Sequence, residues 1–173
     1  TQTPSGDKYI AKYQGCGPTS SPAPLTDFAI TLGTLVEGEL DDLIESDDQY
    51  LRARSGFSFK AEEPNVLELR VGAVSPNVEA TTIAATIESR LNHPNGAASV
   101  RLRNWSTNEF DEVHVYTIGT TEVIETIEGI EASNYIRPGD GRIELTHRQV
   151  VLATFSVLGF DAAIDQVAIS VRE

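Results

Sequence analysis

The chain has 173 residues, 40% of them hydrophobic, with 13 lysines and arginines against 26 aspartates and glutamates and a formal net charge of −13. That length and composition fit one soluble domain with a sizeable core, and a charge so negative repels phosphate backbones, which excludes nucleic acid as a partner. No apolar run approaches the ~20 residues of a membrane-spanning helix.

The single cysteine, Cys16, can neither close an internal disulfide nor anchor a clustered metal site. It reads as a small, partly buried hydrophobe, or as a bridge between two chains across a two-fold contact. The sequence begins at Thr1 and holds no methionine, which reads as removal of a signal peptide and an extracellular or cell-surface location.

Residues 1–26, TQTPSGDKYIAKYQGCGPTSSPAPLT, have the composition of an extended tail or linker, and the domain proper is expected over 27–173. Within the tail Tyr9, Ala11 and Tyr13 share one face of an extended segment. From Phe28 the pattern is β: Phe28, Ile30 and Leu32 alternate with Ala29 and Thr31. An acidic run follows, with seven carboxylates between Glu37 and Asp48, and Leu40, Leu43 and Ile44 are spaced for a short helix near 39–45. Tyr50–Arg54 resumes a strand. In Val66–Ala73, Leu67, Leu69 and Val71 point inward while Glu68 and Arg70 point outward.

Ala80–Asn92 fits either a helix, through Ile83, Ile87 and Leu91, or a strand; its β-branched content and the HPNG turn at 93–96 favour the strand. Ala98–Ile118 reads as a hairpin. With Ser106–Glu109 as its loop and Trp105 opposite Phe110, Leu102 faces Val113 and Val100 faces Val115 on a buried side. Arg103 then faces Glu112, and Arg101 faces His114, on a wet side. Thr121–Gly129 is β-rich, RPGDG at 137–141 is a loop, and Ile143 and Leu145 alternate with Arg142, Glu144 and Thr146. Val150–Leu158 is apolar enough for a strand buried on both faces, and Val167, Ile169 and Val171 mark the last strand. The sum is an all-β fold: an antiparallel, jelly-roll-like β-sandwich of about eight to ten strands with one short helix.

Four segments, GTLVEGELDDLIESDDQYLRARSG, VRLRNWSTNEFDEV, YIRPGDGRIEL and FDAAIDQVAISV, occur in an order that resembles the jelly-roll-like β-sandwich module found at or near the C-termini of large secreted bacterial proteins. That module carries a G-x-L-x-D-L-x-x-S-D-D-x-x-L stretch, a strand ending in N-W-x-T-G, and I-D-Q in its last strand. Here Asn108 stands where glycine is usual. The resemblance spans about Phe28 to Val171 and implies an extracellular location, a sandwich and a non-enzymatic role, without implying a ligand.

Three sets of residues are candidates for function. An extended tail with alternating anchors can add a strand to another copy's sheet, with Tyr9, Ile10 and Tyr13 filling pockets, and such head-to-tail contacts build filaments. Trp105 and Phe110 flank the hairpin tip on its wet face, where aromatics stack on sugar rings or anchor a partner. Asp47 and Asp48, joined by Asp165, are candidate calcium ligands, although their spacing is not that of an EF-hand loop. The three histidines, His93, His114 and His147, sit in no zinc-protease or nucleophile-elbow motif, and no phosphate loop or dinucleotide fingerprint is present, so the chain reads as non-catalytic. His114 is expected as the outer partner of Arg101 and His147 at a strand end. Asn104-Trp105-Ser106 matches the N-glycosylation sequon. The leading expectation is a secreted subunit of a filament or surface layer, and the alternative is an extracellular carbohydrate-binding module that takes polysaccharide.

Overall fold

Segments whose apolar residues recur every second position become strands in the computed structural model, which describes residues 19–57, 65–151 and 159–173. The strands are β1 Ser20–Pro22, β2 Leu25–Leu32, β3 Thr34–Glu37, β4 Leu51–Arg54, β5 Gly56–Phe57, β6 Asn65–Val74, β7 Thr82–Leu91, β8 Gly96–Asn104, β9 Glu109–Ile118, β10 Val123–Glu131, β11 Arg142–Val151 and β12 Asp161–Arg172. They form two antiparallel sheets. The first runs β10-β7-β12-β4-β3 with β1 beside β12, and the second runs β2-β6-β11-β8-β9 with β5 beside β6. Consecutive strands mostly switch sheets, as in a jelly roll; β8 and β9 stay together as a hairpin. Among the described residues no helix is long and apolar enough to cross a membrane.

The inward faces meet in one apolar cluster. Leu67 and Leu69 of β6, Leu102 of β8 and Leu145 of β11 join Ile83 and Ile87 of β7, Leu51 of β4 and Ile164 of β12, all fully buried. Burial of each such side chain contributes about 1.5–3 kcal/mol. Ala80–Asn92 is settled as strand by this geometry, since Ile83, Ala85 and Ile87 lie on one inward face.

Several expectations are corrected. The helix near 39–45 is only a 3-10 turn over Asp41–Leu43, which drops Leu43 into the core while its acidic neighbours stay out. Of the strand expected at Val150–Leu158, Val150 and Val151 are not a new strand but the buried end of β11, which continues unbroken from Arg142; residues 152–158 lie outside the described ones. The hairpin is present in a different register. Asn104 pairs with Glu109, Arg103 with Phe110, Leu102 with Asp111 and Arg101 with Glu112; a bulge at Val113 then sets Val100 against His114 and Ser99 against Val115. Val115 is therefore 56% exposed rather than buried. His114 turns inward, and its Nε2 lies 2.6 Å from Glu125 Oε1 instead of beside Arg101.

His147 is also not at a strand end. It sits mid-strand in β11, 1% exposed, with Nε2 2.8 Å from the Tyr116 hydroxyl. Burial pushes its pKa down from 6.5 to about 4. A base that is harder to protonate in the folded chain than in the unfolded one stabilises the fold fully above pH 6.5, and that stability is lost as pH falls toward 4. The loss expected from this group is on the order of 3 kcal/mol. Urea unfolding of the protein and its His147→Gln variant at pH 7 and at pH 4.5 checks this: the variant should lose markedly less stability on acidification, and parallel losses would contradict it.

Candidate functional site

The outward face of the second sheet is built by its three central strands. Between β6 and β11 the pairing runs ten residues without a shift, and between β11 and β8 it is likewise unbroken. Outward residues therefore stand in straight cross-strand rows. One row reads Ala29–Arg70–Thr146–Arg101–Glu112 from β2 to β9. The next toward the hairpin tip holds Asp27, Gly72 and Glu144, with Arg103 and Phe110 at its far end. The one on the other side holds Glu68, Arg148, Ser99 and Val115.

Charges of opposite sign interlock across these rows. Arg142 spans to Asp27 at 2.6 and 3.0 Å and to Glu144 at 3.3 Å, and Glu144 also lies 3.7 Å from Arg103. The Arg142–Asp27 contact holds the Asp27 carboxyl below the usual carboxylate range. Gly72 lies under this pair, and a Cβ there would come within 2.5 Å of the Arg142 guanidinium, which would have to shift. Arg101 pairs with Glu112 at 3.6 Å and Arg148 with Glu68 at 3.0 Å. Arg70 makes no ion pair among the described residues, and the Thr146 hydroxyl beside it has no hydrogen-bond partner.

The hairpin tip ends this face with a stack of rings and guanidiniums. Trp105 and Phe110 are each half-buried, and the Arg103 guanidinium lies 5.4 Å from both ring centroids. Arg137, from the loop after β10, lies 4.7 Å from the Trp105 ring. The indole N–H donates to the Tyr135 carbonyl at 3.0 Å. Trp105 and Phe110 thus hold arginine side chains in place on the outward face.

The turn itself is organised by Asn104. Its Oδ1 accepts from the Ser106 N–H and hydroxyl and from the Thr107 N–H, and its amide donates to Asp111 at 2.8 Å, so the sequon asparagine is buried and fully engaged. This side-chain turn starts the loop at Trp105 instead of Ser106, which explains the shifted register. Asn108 closes the loop at φ 65°, the left-handed region that glycine enters freely and asparagine tolerates.

The other candidates are placed as follows. Tyr9, Ile10, Tyr13 and Cys16 lie outside the described residues. Asp47 and Asp48 lie exposed in the loop after the 3-10 turn, over the outward face of the first sheet. Asp165 occupies a bulge of β12 there, 1% exposed, near buried Glu88. The Asp47 N–H reaches the Asp165 carboxyl, whose Oδ1 has no partner. Among the described residues no three histidines, cysteines or carboxylates are grouped to hold a metal ion. Burial, then the charge of Glu88, pushes the Asp165 pKa up. The arginine rows were missed from sequence because they join β6, β8 and β11, segments adjacent only after folding.

No protein-family model matches the chain, and no curated protein matches it. Solved structures do. A carbohydrate-binding module denoted CBM4 aligns at 11% identity over 83% of this chain and 94% of its own, with a TM-score of 0.52. The ligand-free CBM1 of BiXyn10A aligns at 12% identity over 88% of this chain and 96% of its own, with a TM-score of 0.50. At such identity the likeness shows the fold alone. It is a jelly-roll-like β-sandwich.

Two substitutions check the local readings. Asn108→Gly is expected to leave the thermal midpoint nearly unchanged, whereas Asn108→Ala should cost about 1–2 kcal/mol for the left-handed residue. Asp165→Asn, which removes a buried charge beside Glu88, should raise the midpoint at pH 7, and the gain should shrink as acid protonates the native carboxyl. Scanning calorimetry at pH 7 and pH 4 reads both; a midpoint lowered by Asp165→Asn at pH 7 would mean that the charge is compensated.

Proposed function

We propose that the chain is a non-catalytic carbohydrate-binding module of the cell exterior, which lays the outward face of its second sheet along a polysaccharide. The row Ala29–Arg70–Thr146–Arg101–Glu112, continued by the Arg103 stack with Trp105 and Phe110, carries this reading. A sugar ring offers hydroxyls that both donate and accept, and one C–H face that is apolar. Guanidiniums present two parallel N–H donors to neighbouring oxygens, and carboxylates accept from hydroxyls. Arg70, half-buried in mid-row, makes no ion pair among the described residues and is the free donor there, whereas the Thr146 hydroxyl beside it is buried. The aromatic pair sets Arg103 at the end of the face and lends it apolar edges.

The two fold neighbours support carbohydrate binding better than filament assembly, since both are carbohydrate-binding modules. Assembly through Tyr9, Ile10 and Tyr13 rests on residues outside the described ones.

Affinity electrophoresis through a panel of soluble plant, algal and bacterial polysaccharides, followed by calorimetry on the best ligand, tests the reading. Arg70→Ala and Arg101→Ala are each expected to weaken binding about tenfold, as loss of a central bidentate contact does. Trp105→Ala should weaken it through Arg103, while Glu128→Ala, on the other sheet, should not. Undiminished binding by the Arg70→Ala, Arg101→Ala double variant, or no retardation by any polymer in the panel, would overturn it.

A further inference from the structure

The opposite side of the sandwich carries a second built surface. On the outward face of the first sheet a groove of about 520 Å³ crosses β3, β4, β12 and β7. Its cause is one small residue between two long ones: Arg90 of β7 pairs with Ala163 of β12, which pairs with Arg52 of β4, which pairs with Glu37 of β3. Arg90 and Arg52 stand two strand spacings apart, about 10 Å, and Ala163 leaves the space between them open. Arg54 and Asp161 pair in the adjacent row.

The arms around this groove are held in place. Asp161 clasps Arg54 at 2.7 and 3.4 Å and accepts from the Asn92 amide at 3.3 Å. Glu37 steadies Arg52 at 3.2 Å. Arg90 is different: its guanidinium lies 4.8 Å over the Tyr50 ring and makes no ion pair among the described residues. Three arginines against two carboxylates give the lining a net positive charge on a chain whose total is −13. Thr120 also lines a further hollow of about 680 Å³ at the turn between β9 and β10, so the groove continues toward that end of the sandwich.

We infer that this groove binds a carboxylate-bearing saccharide, with Arg90 and Arg52 taking the acidic group across Ala163. An unpaired, ring-steadied guanidinium suits a planar carboxylate, which it meets with two parallel hydrogen bonds. Asp161, Glu37, Asn92 and Thr120 suit the hydroxyls that a sugar acid carries beside its carboxylate. The same two carboxylates disfavour a polyacidic peptide, which brings a charge on every residue and no hydroxyls. The site is separate from the face of the second sheet, and it stands or falls independently of it.

A ¹H–¹⁵N titration with trigalacturonate tests the inference, beside galactotriose as the neutral arm and triglutamate as the peptide arm. Trigalacturonate is expected to shift the amides of Arg52, Arg90, Asn92 and Ala163, and neither control should. Arg90→Gln should weaken trigalacturonate about tenfold and Arg90→Lys less, since the lysine keeps charge but not the planar fork. Both variants should melt as the parent does and keep any neutral-polysaccharide binding by the second sheet. Shifts absent from these residues, equal binding of galactotriose there, stronger binding of triglutamate, or an unchanged affinity in Arg90→Gln would each overturn it.

Discussion

The pairing of β6, β11 and β8 without a single slipped residue is the constraint on which the rest of the molecule depends. Because side chains alternate strictly across a strand, one slip in any of the three would exchange Leu69, Leu145 and Leu102 for their charged neighbours. The core and the arginine rows are therefore two readings of one register. The cost of an error would be charges in the interior, each worth several kcal/mol unless paired. Irregularity is pushed outward instead: β2 and β9, at the edges, carry the register shifts. In β9 the bulge at Val113 turns His114, Tyr116 and Ile118 inward, which brings His114 to Glu125 and Tyr116 to His147.

How much of this the sequence disclosed follows from how local each signal is. Leu67, Leu69 and Val71, and Ile143 and Leu145, announce their strands because burial on one face leaves a two-residue period in the chain itself. The hairpin was legible as a hairpin for the same reason. Its register was not, because it is set by the three hydrogen bonds that Asn104 Oδ1 collects and by a bulge, and neither leaves a mark on apolar spacing. Short strands such as β3, exposed at every position, carry no alternation to read. The acidic run read as a helix because Leu40, Leu43 and Ile44 fit one; in the fold only Leu43 finds the core, and one turn suffices to deliver it. Trp105 and Phe110 could be assigned to the wet face by parity with Arg103. That Arg70, Thr146 and Arg101 share a row is knowledge of topology, and no local pattern contains it.

Polar groups in the interior show where the register leaves something over. Gln149 lies on the same inward face as His147, fully buried, with neither amide atom hydrogen-bonded, and Ser89 Oγ is likewise unpaired. Each such group costs about 1–3 kcal/mol relative to a satisfied one. The fold tolerates them because the apolar cluster around them is extensive.

The outward arginines need a different explanation. An ion pair with both partners part-exposed contributes about 0–1 kcal/mol, and ordering two long side chains takes back much of that. Stability alone therefore gives little reason to keep Arg103 between two aromatic rings, to keep position 72 free of a Cβ for Arg142, or to hold Arg54 in the grip of Asp161. What these contacts do achieve is to fix planar donors in one orientation before anything binds. A ligand then meets side chains whose rotamer entropy is already lost, and more of the contact energy appears as affinity. Both faces share that preparation, and each leaves one arginine outside any ion pair among the described residues: Arg70 amid the paired charges of the second sheet, and Arg90 over the Tyr50 ring on the first.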